Sequence, residues 1–313
     1  MPALTFVLFT PDNFETVRKT VSHVARDSGA GSVELLIGCA EPEALHIDAA
    51  AVAGLHSVRA IRCDMISGSG KARALAVQEA RAPVVAFGED HCFPQPGWTN
   101  ALLRSHRESY AAVGPVVMNA NPEGLVSWAD LLMGYGPWLA PGGSKEMDHL
   151  AGHNSSYKRD ALLPLADELP MFMEAESTLH WRLRKEGHRL FQQSDARVAH
   201  TNFARWGTWL PVSYHAGRVF AAVRASEWSV GRRIAFAIGS PFIPLVRLVR
   251  HIRQAVAAGL PTGLIVRIAP VLLVGLTVNA AGQGVGCVLG AGRSQATLVQ
   301  WDFHRNAPRH ATG

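Results

Sequence analysis

The chain has 313 residues and a hydrophobic fraction of 48%, which is enough for a sizeable core and excludes wholesale disorder. Its net charge of +5 is unevenly distributed, because residues 201–313 hold twelve arginines, no lysine and only Glu227 and Asp302. That part carries +10 and the first 200 residues about −5, so we expect the basic part to face an acidic partner, either phospholipid head groups or a phosphorylated ligand, and do not expect a nucleic-acid partner.

The cysteines indicate a reducing compartment. Cys39, Cys63, Cys92 and Cys287 are scattered, no pair is spaced as in a metal or redox motif, and no signal-peptide pattern precedes the first apolar run. We therefore expect a cytosol-facing protein.

Apolar runs alternate with helical patterns in the first 90 residues. The runs are Leu4–Phe9, Val33–Cys39, Val58–Cys63 and Val84–Phe87, and each ends in a turn. This alternation predicts an α/β fold with a mostly parallel sheet flanked by helices. Ligands of such sheets bind beyond the carboxyl ends of the strands, where the sequence places Thr10, Pro11, Asp12, Glu41, Asp64, Glu89, Asp90 and His91.

Three later segments carry a family resemblance. They are Phe87–Trp98, Gly152–Arg159 and Glu174–Leu190, and no one of them is diagnostic without the others. Their order and spacing resemble family 2 glycosyltransferases with the A-type, Rossmann-like fold, over roughly residues 3–203. The resemblance implies a catalytic domain at residues 1–203 that binds a nucleotide diphosphate sugar.

The resemblance places a divalent metal on the first segment. The family's acidic pair corresponds here to Glu89 and His91 with Asp90 between them, and the family often has a histidine at the position of His200. Mg²⁺ or Mn²⁺ would suit the diphosphate, and imidazole ligands favour Mn²⁺. The alternatives are a solvated turn at residues 89–91 and a purely structural His200.

The third segment supplies the predicted catalytic base. Aligned on Arg182, the family's Glu-Asp pair falls on residues 175 and 176, so Glu176 is the first choice and Glu174 the second. A carboxylate can accept the proton of the attacking hydroxyl. Alternatively, both acids only favour a helix N-terminus electrostatically.

Donor and acceptor contacts follow from the remaining segments. Lys71 and Arg73 begin a helix after a Gly-rich stretch, where cations favour a diphosphate, although a surface turn is the alternative there. We assign the nucleotide to Thr10, Pro11, Asp12, Glu41, Asp64, Lys71, Arg73 and Asp90, several of which equally suit turns. We assign the acceptor to His153, Asn154 and Ser155, for which a simple turn is the alternative.

Residues 204–313 read as a basic, helical, membrane-associated tail. Apolar residues mark one face of residues 245–256 and arginines lie on the other faces, as expected of a basic amphipathic helix lying in a membrane interface. Ile268–Gly292 is uncharged for 25 residues but rich in glycine, which favours a shallow re-entrant hairpin over a spanning helix. A buried helical subdomain or a homo-oligomer interface is the alternative.

The resemblance implies an inverting hexosyltransferase. We expect a UDP-sugar donor and a lipid-linked or saccharide acceptor at the cytoplasmic membrane face, where the protein is peripheral or monotopic. The departures at positions 89–91 and 175–176 support a different reading, a catalytically silent membrane-associated protein that binds nucleotide sugars or acts as a scaffold.

Overall fold

A computed structural model describes residues 1–63, 69–174, 176–303 and 305 of the chain. The chain forms two compact units, the first from Met1–Met118 with Ala140–His200 and the second from Asn119–Leu139 with Thr201–Gly313. Residues 119–139 lie inside the predicted catalytic segment 1–203, and they group with the second unit.

Helices and strands alternate through the first part of the chain. Up to residue 119 the elements are β1 (Leu4–Phe9), α1 (Phe14–Ala25), β2 (Val33–Cys39), α2 (Ala49–Val52), β3 (Ser57–Arg62), α3 (Ser69–Glu79), β4 (Val84–Phe87), β5 (Cys92–Pro94), α4 (Trp98–His106) and β6 (Tyr110–Asn119).

Helices dominate the second part of the chain. The elements are α5 (Leu125–Tyr135), β7 (Lys145–Glu146), β8 (Ser156–Lys158), α6 (Arg159–Leu162), α7 (Leu169–Phe172), α8 (Glu176–Lys185), β9 (Arg189–His200), α9 (Trp206–Arg224), α10 (Val230–Gly239), α11 (Ile243–Ala257), α12 (Thr262–Leu289) and α13 (Ser294–Asp302).

The strands of the first unit form one mixed sheet in the order β3-β2-β1-β4-β8-β6-β9-β5, with β7 paired to β9. Strands β1 to β4 are parallel, as the alternation with helices predicts. Antiparallel pairs follow, β4 with β8, β6 with β8, β5 with β9 and β7 with β9. The predicted α/β class is confirmed, and the parallel arrangement is limited to the strands that helices connect.

The central strands are buried on both faces. Every residue of β1 and β2 is buried, including Glu34. The Glu34 carboxylate is satisfied because it accepts hydrogen bonds from the Thr5 hydroxyl at 2.7 Å and the Arg59 guanidinium at 2.9 Å. Continuous apolar runs and a fully paired acid are what a sheet covered on both faces requires.

The second unit corrects the prediction for the glycine-rich tail. The expected re-entrant hairpin is wrong, because α12 runs unbroken through that region. Its glycines serve close helix packing instead. A Cβ atom on Gly282 would lie 2.0 Å from the Tyr214 carbonyl oxygen of α9, and one on Gly286 would lie 2.1 Å from that of Arg218.

Two helical segments of the second unit are long and apolar enough, by length and composition alone, to cross a bilayer. They are Val230–Ala257, which includes α10 and α11, and Thr262–Leu289, which is α12. In the first segment 17% of the most apolar window is buried, against 39% in the second, so α12 is the more enclosed of the two.

Candidate active site

The sheet brings three predicted metal ligands together at one end of its strands. Glu89 follows β4, His91 directly precedes β5, and His200 is the last residue of β9. Strands β5 and β9 are antiparallel, and their register places Cys92 opposite His200. Strand pairing therefore joins residues that are far apart in the sequence.

The imidazoles face the Glu89 carboxylate. Nε2 of His91 lies 3.4 Å from Oε1 of Glu89, and Nε2 of His200 lies 3.7 Å from Oε2. One ligand atom from each of the three residues can be chosen so that all lie within 4.8 Å of one another. The cluster has the size of a first coordination sphere.

Neighbouring residues orient this cluster. Nδ1 of His91 lies 2.6 Å from Oδ1 of Asp90, and the Asn154 amide donates to Oε2 of Glu89 at 2.7 Å. A carboxylate on the outer nitrogen of a histidine is the usual support for a metal-binding imidazole. Asp90, which we assigned to the nucleotide, contacts His91 in the structure.

The ionisation state of Glu89 suits metal binding. Burial alone favours the neutral acid, but His91, together with the His153 and His200 imidazoles, outweighs that effect and holds the pKa of Glu89 well below its usual range. Glu89 is therefore ionised at neutral pH, as a metal ligand must be.

The donor set fits a divalent ion. One carboxylate and two imidazoles would leave coordination positions for phosphate oxygens, and nitrogen ligands suit Mn²⁺ better than Mg²⁺. Glu89, His91 and His200 form a site of the kind that holds such an ion, which agrees with the predicted Mn²⁺ or Mg²⁺.

A second cluster surrounds Glu176 at the start of α8. Oε1 of Glu176 accepts a hydrogen bond from Nη1 of Arg73 at 2.7 Å and lies 3.1 Å from Nδ1 of His153. Nη1 of Arg73 also donates to the Met173 carbonyl at 2.9 Å, and Nη2 lies 2.8 Å from Nδ1 of His153. Arg73, assigned to the diphosphate, contacts the predicted base.

Glu176 is buried but ionised. Burial favours its neutral form, but the charges of His153 and Arg73 outweigh that effect and lower the pKa of the carboxyl group. A carboxylate with a low pKa can accept a proton, although it is a weaker base than one whose pKa lies nearer neutrality.

One 3₁₀ turn, Gly152–Asn154, contacts both clusters. Asn154 bonds to Glu89, and His153 contacts Glu176 and Arg73. Gly152 packs so closely on Glu176 that a Cβ atom there would lie 2.3 Å from the Cβ of Glu176. The predicted metal ligands and the predicted base are thus linked through three consecutive residues.

Glu174, the second choice for the base, has a different environment. Its carboxylate accepts hydrogen bonds from the Gly70 amide at 2.8 Å and the Ser69 hydroxyl at 3.0 Å. These donors lie in the first turn of α3, where an anion is favourable. The Glu174 carboxylate therefore occupies the N-terminus of α3, where we placed the diphosphate. Lys71, in the same turn of α3, is exposed.

The other predicted nucleotide contacts lie at the carboxyl ends of β1 and β2. The Thr10 hydroxyl donates to the Asn13 carbonyl at 2.8 Å inside the turn that precedes α1. Pro11, Asp12 and Glu41 are exposed beyond these strands. Asp64 lies outside the described residues. The structure brings the four described residues to one edge of the sheet and leaves their nucleotide contacts as predictions.

Two of the three predicted acceptor residues lie at the candidate site, and the third is buried in the core. His153 and Asn154 contact the two clusters, whereas Ser155 is fully buried. The Ser155 hydroxyl donates to the Ala151 carbonyl at 2.7 Å. Ser155 therefore stabilises the turn from within, and the structure offers no open face of its side chain to an acceptor.

Two supporting residues were missed by the sequence reasoning. His180 lies one helical turn after Glu176 on α8 and is fully buried, as is Tyr157. The Tyr157 hydroxyl lies 2.9 Å from Nε2 of His180, and the Leu150 amide donates to Nδ1 at 3.3 Å. A histidine four residues after a candidate base on a helix was the available signal.

The sequence matches no protein-family model and no curated protein. A crystal structure of GalNAc-T7 with UDP, GalNAc and Mn²⁺ is similar in fold, with a TM-score of 0.50 and 15% identity. The match covers 66% of this chain and 44% of that chain, so this chain spans less than half the length of that protein. This chain has the A-type glycosyltransferase fold.

Two further solved structures match over more of their length but at lower TM-scores. S. aureus TarS 1-349 is 13% identical, with a TM-score of 0.49 over 91% of this chain and 90% of that chain. The mannosyltransferase PcManGT from Pyrobaculum calidifontis, in complex with GDP-Man and Mn²⁺, is 16% identical, with a TM-score of 0.47 over 96% of this chain and 79% of that chain.

Proposed function

We propose that this protein is a metal-assisted, inverting glycosyltransferase. It moves a hexose from a nucleotide diphosphate sugar, a UDP-sugar, to a lipid-linked or glycan acceptor at the cytoplasmic face of a membrane. The observation that carries this proposal is the link, through Gly152–Asn154, between the Glu89, His91 and His200 cluster and the buried carboxylate of Glu176.

The proposed chemistry needs one base and one site for the leaving group. The acceptor oxygen forms a bond to the anomeric carbon, its proton passes to the Glu176 carboxylate, and the bond from that carbon to the diphosphate breaks. A divalent ion held by Glu89, His91 and His200 would supply positive charge to the departing diphosphate. Asp90 and Asn154 keep those ligands oriented, and Arg73 keeps Glu176 ionised.

The choice of donor rests on the fold. GalNAc-T7, which shares this fold, was solved with UDP and Mn²⁺, and this supports a uridine nucleotide and a transition-metal ion here. The two imidazoles of the cluster support the same preference for Mn²⁺ over Mg²⁺.

One observation favours the catalytically silent alternative. Arg73 and His153 both contact the Glu176 carboxylate, as they would if the acid were only a structural ion-pair partner. A silent nucleotide-sugar-binding protein would bind a donor without ever cleaving it.

Glu176→Gln separates the two functions. We expect the wild type to be stabilised against heat by one UDP-sugar in the presence of Mn²⁺ and to hydrolyse it slowly. The variant should bind that donor equally well, and its rate of hydrolysis should fall by about 10²–10⁴-fold because the base is lost. Released UDP is the measured product.

Glu186→Gln is the matched control, because Glu186 is exposed just beyond α8. It should hydrolyse the donor at the wild-type rate. Donor binding without hydrolysis by the wild type would support the silent alternative, and hydrolysis at the wild-type rate by Glu176→Gln would remove Glu176 as the base.

A further inference from the structure

An apolar stripe runs along α10 and α11 in the second unit. Helix α10 has no buried residue, and Val230, Ile234 and Ile238 recur every four residues along it. The stripe continues through the turn that joins α10 to α11. Its most exposed members are Val230 and Ile238 at 72%, Phe242 at 70%, Val246 and Val256 at 61% and Leu245 at 57%. Contiguous apolar exposure of this extent is typical of a binding surface.

Positively charged side chains lie in the same segment as the stripe. Arg232, Arg250 and Arg253 are exposed, and Arg233 is partly exposed. The chain has no acidic residue between Glu227 and Asp302, so the charge of this surface is not neutralised locally along the sequence. Charge complementarity therefore requires an anionic partner.

A groove on α11 combines both properties. It has a volume of about 580 Å³, and its lining includes Val246, Val249, Ala257, Arg250, Arg253 and Gln254. Three apolar side chains beside two guanidinium groups suit a molecule with an acyl chain and a phosphate.

An arginine and tryptophan cluster marks the start of the stripe. The guanidinium carbon of Arg232 lies 4.2 Å from the centre of the Trp228 ring, and that of Arg224 lies 5.3 Å from it. Tryptophan and arginine are both favoured at the level of lipid head groups. Trp228 lies two residues before Val230, the first residue of the stripe, and Arg232 lies two residues after it.

The charges argue against a spanning segment. Residues 230–257 include five arginines, and a charged side chain at the bilayer centre is costly. A helix that lies in the interface keeps its arginines in water and its apolar stripe in lipid.

We propose that residues 228–257 form a docking surface for an anionic phospholipid bilayer. The stripe enters the boundary between head groups and acyl chains, and Arg232, Arg233, Arg250 and Arg253 contact lipid phosphates. The membrane partner is the one in the proposed function, but binding to vesicles requires neither metal nor donor and is independent of glycosyl transfer.

Sedimentation of the full chain with vesicles tests the proposal. We expect strong binding to phosphatidylcholine vesicles that contain about 30% phosphatidylglycerol, and weak binding to vesicles of phosphatidylcholine alone. Raising the salt from about 0.1 M to about 0.5 M should weaken binding to the anionic vesicles.

Two variants separate the apolar and the charged contributions. Ile238→Glu should lower the partition coefficient at least about tenfold, whereas Val266→Glu, at a similarly exposed valine of α12, should not. Arg250→Gln with Arg253→Gln should lower it about thirtyfold, since each arginine near the surface contributes roughly fivefold. Arg107→Gln, at an exposed arginine of the first unit, is the control. Circular dichroism checks that each variant is folded.

Several outcomes would overturn the proposal. One is equal binding to neutral and anionic vesicles, and another is wild-type binding by Ile238→Glu. Resistance to carbonate extraction would show an inserted segment instead. Self-association that Ile238→Glu abolishes, without vesicle binding, would show that the surface joins copies of this chain. Each of these failures leaves the metal and donor experiments on the first unit unaffected.

Discussion

Arg73 illustrates how a buried acid determines its neighbours. Glu176 is 8% exposed, and an ionised carboxylate at that depth is costly unless it is paired and hydrogen-bonded. Arg73 supplies the partner at 2.7 Å and is itself fixed by the Met173 carbonyl. The Arg73 guanidinium thus binds the predicted base, whereas the sequence alone had suggested that it binds a diphosphate.

His180 supports the same region from behind. It accepts a hydrogen bond from the Leu150 amide at Nδ1, so Nε2 carries the proton and donates it towards the Tyr157 hydroxyl. Burial lowers the pKa of His180 from 6.5 to about 4, against the opposing effect of the Glu176 carboxylate. The imidazole is therefore neutral in the folded protein at neutral pH.

This histidine predicts an acid-sensitive contribution to stability. Between pH 6.5 and about 4 the unfolded chain binds a proton at His180 that the folded protein does not, so the free energy of unfolding falls as the pH drops through that range. The difference between the two pKa values corresponds to about 3 kcal/mol. Urea denaturation of His180→Gln should show a flatter pH dependence than the wild type.

His56→Gln, at an exposed histidine, is the control for replacing a histidine as such. Parallel curves for wild type and His180→Gln across that range would contradict the assignment of a buried neutral imidazole.

At the scale of elements, the Gly152–Asn154 turn is the joint between the two clusters. Its first residue must be small, because the side chain of Glu176 occupies the space where a Cβ atom would lie. An extra methyl group in such packing displaces its neighbours. The position of Glu176 thus depends on a glycine in another segment of the chain.

Gly152→Ala should therefore reduce turnover more than metal binding. We expect donor hydrolysis to fall at least about tenfold, since small displacements of a base are costly. Mn²⁺ affinity should change little, because the Cβ clash falls on Glu176 and not on Glu89. In Gly143→Ala a Cβ would meet nothing within 4 Å, so this variant should behave as wild type. Equal turnover by both variants would contradict the role of the turn.

Much of the fold could be predicted from local patterns of apolar residues in the sequence. The four predicted runs match β1 to β4, and β1, β2 and β4 are buried along their whole length, as expected in a sheet covered on both faces, whereas the edge strand β3 is only partly buried. The continuous α12 could not be predicted, since glycines in a sequence indicate either a break in a helix or close packing between helices. The approach of the Tyr214 carbonyl to Gly282 in the structure shows that these glycines serve close packing.

The candidate site could be predicted from the sequence only in part. The family resemblance suggested Glu89, His91 and His200, but their proximity depends on the pairing of β5 with β9. The contacts of Arg73 with Glu176 and of Asn154 with Glu89 join segments far apart in the chain. Such tertiary contacts leave no periodic signal in a single sequence.

At the scale of the whole molecule, charge separates two kinds of partner. The first 200 residues are net acidic and contain the candidate metal cluster, whereas residues 201–313 carry +10 and contain the exposed apolar stripe. An acidic region with buried imidazoles suits a metal and its phosphate ligand, and a basic amphipathic region suits lipid. The proposed reaction needs both.

Mn²⁺ binding tests the central claim most directly. Electron paramagnetic resonance distinguishes free from bound Mn²⁺, and titrations of metal-free protein with and without UDP give the affinity. We predict a bound ion in the wild type and in His46→Gln, an exposed histidine, with affinity at least about tenfold lower in His91→Gln and His200→Gln. UDP should tighten binding in the wild type and in His46→Gln, but not in the other two variants. Equal Mn²⁺ affinity in all four proteins would contradict the metal site on which the proposed transferase depends.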